Sequence, residues 1–173
     1  ISINQISKIT KPLIWTFHDM WPICGVEHYS DTFEYRDGYK KKRFFDLYHS
    51  TWQRKKKLNN KIKIVCVSNW LANKVKESYL FNKFEIHTIP PCIDTKKWKN
   101  INKDTSRNLL GFGIDEKVII FSAANGTSDK RKGFDILLEV LNDQSFKTDK
   151  YRLVIIGNIS EKDINRIPIN YSN

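Results

Sequence analysis

Apolar residues along this chain gather in short runs, with stretches of helical spacing between them. Leu13 to Phe17 is too short for a helix and rich in bulky side chains, which predicts a strand buried on both faces. Ile62 to Val67 predicts a second strand, stopped by Ser68, whose hydroxyl can cap the helix written NWLANKVKESYL. Glu85 to Ile89, Lys117 to Phe121 and Tyr151 to Ile156 predict three more strands. From about Tyr39 to Leu58, Phe44, Phe45, Leu47, Tyr48, Trp52 and Leu58 recur among bases at spacings that suit one helix burying one side. KDTSRNLLGFG predicts a short helix closed by Gly111 or Gly113, and Gly133 to Leu141 predicts another. Strands alternating with helices predict an α/β chain with parallel sheets covered on both faces. Pro90 and Pro91 forbid ladder hydrogen bonds and mark a connector, so residues 1–93 are expected in one domain and 94–173 in a second. Repeats and low-complexity tracts are absent.

Composition narrows the class. Hydrophobic residues at 40% and aromatics at 13% suffice for a core, and 28% charged residues are ordinary for a globular protein. No apolar run approaches the roughly 20 residues that span a bilayer, and no leader with a small-residue cleavage site stands at the front, so a cytoplasmic location is expected. With Ile1 first and Met20 the only methionine, the chain is expected to be an internal piece of a longer protein. Cys24, Cys66 and Cys92 form no C-x-x-C pair, which predicts free thiols and neither a disulfide framework nor a structural zinc site.

Charge changes the picture more. The net charge is +11, and in residues 40–63 the ten bases Lys40, Lys41, Lys42, Arg43, Arg54, Lys55, Lys56, Lys57, Lys61 and Lys63 stand against Asp46 as the one acid. Such a segment suits anionic lipid headgroups or polyphosphates, and equally nucleic acid. A solvated helix is the plain alternative, and reversing Lys55, Lys56 and Lys57 would separate the two.

Two stretches hold candidate chemistry. After the strand ending at Phe121 come Ser122, Ala123, Ala124, Asn125 and Gly126, small residues that let a ligand approach backbone; then Lys130, Arg131, Lys132 and Gly133 open a helix. In open parallel sheets ligands bind at the carboxyl ends of strands, and a helix start there offers unpaired N–H groups and about half a positive charge. Added cations predict a diphosphate site. Likewise, the run Leu13 to Phe17 delivers His18 and Asp19 to a strand's carboxyl end, with Trp21, Cys24, Glu27, His28 and Tyr29 close behind. Cys24, Glu27 and His28 with His18 offer zinc ligands in principle; a pocket-shaping loop is the alternative, and no metal is the expectation.

Four segments in order carry a resemblance: WTFHDMW from Trp15, SNWL from Ser68, IPPCIDT from Ile89 and KGFDILL from Lys132. With these the chain resembles the GT-B glycosyltransferases of family 4, in particular their bacterial polysaccharide-assembly branch, over residues from about 12 to 157. The resemblance implies Rossmann-like parallel sheets belonging to two domains that face across a cleft, the first holding an acceptor and the second a nucleotide sugar. Residues 1–93 would be the back part of the acceptor-side domain and 94–173 the front part of the donor-side domain.

On that footing Lys132 contacts the donor diphosphate with the N–H groups of Gly133 and Phe134. Relatives carry an Arg just after the preceding strand, where this chain has Ala124 and Asn125; Arg131 is the substitute, and Asn125 completes the candidate set. His18 approaches the transferred sugar and Asp19 orients the loop, while Trp21 and Tyr29 are available to stack on acceptor sugar rings. Relatives show a G-G-C-H-Y segment where this chain reads Gly25-Val26-Glu27-His28-Tyr29, so no metal-linked or cysteine role is carried over.

The implied reaction is transfer with retention, without metal or cofactor, from a nucleotide-diphosphate sugar to a glycan or lipid-linked acceptor. It would serve lipopolysaccharide or capsule assembly, with peripheral contact to the anionic inner membrane face. The donor-binding carboxylates, a Glu-(seven residues)-Glu pattern, and the glycine-rich loop of the first domain are expected outside these residues, leaving this chain alone inactive. Two other readings stand beside it: a basic α/β protein that binds nucleic acid or another polyanion without catalysis, and a GT-B epimerase sharing the phosphate loop.

Overall fold

The computed structural model describes residues 2–58, 61–124, 126–146 and 150–172. The chain divides into two compact units, Ile1–Thr95 and Lys96–Asn173. Each contains a three-stranded parallel sheet, so the α/β, Rossmann-like class expected from the sequence is the fold observed.

The first unit runs α1 (Ile3–Ile6), β1 (Leu13–Phe17), α2 (Glu34–Asp37), α3 (Leu47–Lys55), β2 (Ile62–Cys66), α4 (Asn69–Glu77) and β3 (Ile86–Thr88). The sheet order is β1-β2-β3, with Leu13 opposite Ile62 and Phe17 opposite Cys66. Its core joins Phe17, Ile64 and Cys66 of the sheet to Leu71, Ala72 and Val75 of α4 and Trp52 of α3. Ser68 caps α4 by accepting from the Leu71 amide at 3.2 Å.

The second unit runs α5 (Lys103–Leu110), β4 (Lys117–Ser122), α6 (Phe134–Leu141), β5 (Tyr151–Ile156), α7 (Glu161–Ile164) and β6 (Asn170–Ser172), with sheet order β4-β5-β6. Its smaller core places Phe121, Leu153 and Ile155 against Phe134, Leu138 and Leu141 of α6. Asn102 caps α5 at its start, and Gly111, left-handed at φ 69°, closes it.

Two expectations are corrected. The strands are not buried on both faces: burial alternates along β1 and β2, and Ile14, Ile120 and Ile156 stay exposed among the described residues. The helix expected from Tyr39 begins only at Leu47, because the Asp46 side chain accepts from the His49 amide and sets the cap there. Phe44 and Phe45 therefore lie outside the helix and outside the core.

Candidate functional site

His18 follows Phe17 at the carboxyl end of β1 and is exposed; among the described residues its imidazole makes no hydrogen bond or ion pair. The loop behind it is strongly organised. Asp19 accepts from the Trp21 amide at 2.8 Å with one oxygen and pairs with His28 Nδ1 at 2.6 Å with the other. The Met20 amide donates to the His28 carbonyl at 2.9 Å, closing the loop on itself. With both oxygens engaged, Asp19 organises the loop, while His18 stays exposed.

The residue that holds this loop in place is Lys55. It lies on the buried side of α3 and is 1% exposed. Its ammonium donates to the carbonyls of Trp21, Cys24 (2.8 Å) and Gly25 (2.9 Å), and sits 3.9 Å from the centre of the Trp21 ring. All three of its donors are thereby used. Burial pushes the Lys55 ammonium down to about 8, while neighbouring Cys24, Glu27 and Asp19 pull it back up. Gly25 lets the loop reach α3, since a Cβ there would meet Tyr48 at 3.0 Å. Burial also pushes the Cys24 thiol up to about 12, a buried inert thiol.

Lys55 corrects the expectation of a continuous basic surface. Lys42 pairs with Glu34 at 2.6 Å and Lys63 with Glu85 at 3.0 Å, so the ten bases are not one solvated face. Reversing Lys55 would test the loop, not a surface.

One face of the Trp21 ring is taken by Lys55. Trp21 also borders a cavity of about 510 Å³ with Trp15, Thr51 and Arg54. Tyr29 is exposed. Among the described residues no group of three His, Cys, Asp or Glu side chains could hold a metal ion, since His28 is taken by Asp19 and Glu27 accepts from Tyr39.

In the second unit, Lys130–Lys132 form a 3₁₀ turn capped by Asp129, and Gly133 is left-handed at φ 75°. Asp129 accepts from the Arg131 amide and grips the Arg131 guanidinium at 3.0 and 2.8 Å, so Arg131 is committed within the turn. The amides of Lys132 and Gly133 donate to the carbonyls of Asp129 and Lys130. The Gly133 N–H expected on the diphosphate is therefore engaged, and the turn narrows to two other features. The Lys132 side chain is exposed and makes no hydrogen bond among the described residues. The start of α6 carries no side-chain cap, its first bond being Leu137 N–H to the Gly133 carbonyl, which leaves the Phe134 end open to an acceptor. Asn125 lies outside the described residues.

Of the small residues expected to let a ligand approach, Ala123 and Gly126 are buried against the loop after β5, while Ser122 and Ala124 are exposed. A Cβ on Gly126, φ 59°, would fall 1.4 Å from the Asn158 carbonyl oxygen, and one on Gly157, φ 129°, 2.1 Å from that of Ala123. Thr127 N–H donates to the Asn158 carbonyl at 3.1 Å across this junction.

The loop bearing His18 and Asp19 falls inside residues 5–97, which match the sequence profile of Glycosyltransferase Family 4 over more than half of the chain. The chain belongs to glycosyltransferase family 4. Two Rossmann-like parallel sheets are consistent with a GT-B fold, and the family supports glycosyltransferase activity in general. No curated protein matches the chain. Within this glycosyltransferase, sequence reasoning named His18, Asp19 and Lys132 but missed Lys55 and Asp129. Both left a signal: Lys55 falls three residues after Trp52 and three before Leu58, on the apolar stripe, and Asp129 stands where a cap would precede the basic turn.

Proposed function

We propose that the protein transfers a hexosyl group, with retention, from a nucleotide-diphosphate sugar to a glycan or lipid-linked acceptor in bacterial surface polysaccharide assembly. The observation that carries this is the family match over the unit that holds His18. The first unit is the acceptor side, with Trp21 and Tyr29 against acceptor sugars and His18 near the transferred one. The second is the donor side: Lys132 and the uncapped start of α6 receive the diphosphate and stabilise the charge that develops as it leaves, without a metal. A phosphate oxygen takes the acceptor proton.

Heating the protein with a panel of nucleotides tests this, because a ligand bound only by the folded state raises the melting temperature. A rise with UDP or GDP that Lys132→Ala abolishes is expected. A rise with oligonucleotides alone would replace this proposal with polyanion binding.

A further inference from the structure

Beyond Tyr39, whose hydroxyl donates to Glu27, the segment up to Asp46 takes no part in the site described above. It is irregular in conformation, and its base is fixed. Asp46 accepts from the Lys42 amide at 2.9 Å and caps α3 with its other oxygen, Lys42 pairs with Glu34 at 2.6 Å, and His49 Nδ1 meets the Tyr39 carbonyl. At its tip stand Phe44 and Phe45, 83% and 88% exposed, with Leu47 also exposed just beyond. Single exposed apolar side chains are common on soluble proteins, but two adjacent rings on an anchored loop are not a packing remnant.

Around them the charges left uncommitted are cationic, since the neighbouring carboxylates Glu34 and Asp46 are held by the Lys42 ammonium and by the Lys42 and His49 amides. Among the described residues Lys40, Lys41 and Arg43 form no ion pair with an acidic side chain, and Lys41 lies 5.5 Å from the Phe44 ring centre. The same bases, Lys40 and Arg43, border a cavity of about 430 Å³ with Phe45 and Tyr48, whose two carboxylates, Glu34 and Asp46, are already engaged by Lys42 and by backbone amides.

We infer that the Lys40 to Leu47 loop is a docking element for an anionic bilayer surface, with Phe44 and Phe45 entering the acyl boundary and Lys40, Lys41 and Arg43 on lipid phosphates. The bases alone would suit any polyanion; the rings decide. A bilayer offers negative headgroups and hydrocarbon within a few ångströms of each other, and the loop presents cations and bare rings in the same arrangement. Single-stranded nucleic acid is matched less well. It needs ring faces on which successive bases stack, whereas Phe44 and Phe45 meet edge to face at 87° and Lys41 lies against the Phe44 ring. No described helix is long and apolar enough to cross a membrane, so the contact is peripheral. The inference sharpens the expected membrane contact to one loop and needs no glycosyl transfer.

Co-sedimentation of the protein with vesicles of phosphatidylcholine, alone or mixed with phosphatidylglycerol, tests it without nucleotide or sugar, so it and the transferase proposal can fail separately. Binding should require phosphatidylglycerol and weaken with salt. Phe44→Ser with Phe45→Ser should weaken it roughly tenfold or more, and Lys40→Glu with Arg43→Glu roughly twenty-fold or more, at unchanged circular dichroism. The added emission of Phe45→Trp should shift to shorter wavelength on vesicle addition. Equal binding to both lipids, indifference to the serine pair, or no emission shift would overturn the inference. So would an oligonucleotide bound through these residues by a protein that leaves vesicles in solution.

Discussion

Lys55 and Lys132 each stand in a run of bases behind a parallel sheet, yet the two units use them in opposite ways. Lys55 is buried with every donor on a backbone carbonyl; the Lys132 ammonium is exposed and makes no hydrogen bond among the described residues, in a turn that also carries Lys130 and an Arg131 held by Asp129. A buried, saturated cation fixes a loop and has nothing left for a ligand. An exposed one beside an uncapped helix start has everything left. The first unit therefore fixes the loop after β1 in advance, and the second leaves the Lys132 charge uncommitted.

The largest break in that contrast should come from Lys55→Met. It leaves three inward carbonyls without donors, at about 1 kcal/mol each, so stability should fall by about 3 kcal/mol in denaturant titration. Cys24, buried beneath the same loop, should then react with a thiol reagent before global unfolding, when in the parent protein Cys92 is the exposed thiol. Asp129→Ala is the next step down. It removes the cap of the turn and the carboxylate that grips Arg131, and should lower the melting temperature by less than Lys55→Met does. Lys132→Ala should move stability by less than about 0.5 kcal/mol, since its side chain holds nothing in place.

The pH dependence separates the units further. With the Lys55 ammonium at about 8 when folded and an ordinary value of 10.5, the folded state releases its proton first. The unfolded chain then binds more protons, so this group makes stability rise between about pH 8 and 10.5, and Lys55→Met should lose that rise. Asp129 acts at the other end. Its hydrogen bond from Arg131 holds the carboxyl below its ordinary 3.8, so its contribution is present above that pH and fades as pH falls further. Asp129→Asn should remove that acid sensitivity in a melting series.

Much of this was legible in the sequence. The short runs at Leu13, Ile62, Lys117 and Tyr151 became strands because parallel pairing needs only five or six residues with one buried side. Ser68 became a cap because its hydroxyl had an amide to accept from. What sequence periodicity misread was partnership. It counted Lys55 among solvated bases, although its spacing from Trp52 and Leu58 put it on the buried stripe. It ran a helix through Phe44 and Phe45, although Asp46 could cap only what followed. Among the small residues after β4, Gly126 marks a close approach, and the group that approaches it is the Asn158 backbone. Such contacts depend on a second loop far along the chain, which local spacing does not encode.

Both lysines can be weighed in one experiment: acetylation of the folded protein at mildly alkaline pH, read by mass spectrometry with and without UDP or GDP. Lys132 should be modified early and protected by the nucleotide, and Lys55 should stay unmodified until the protein unfolds. Modification of Lys55 at the rate of surface lysines, or of Lys132 at a rate no nucleotide changes, would contradict the division of labour between a tied and a waiting charge.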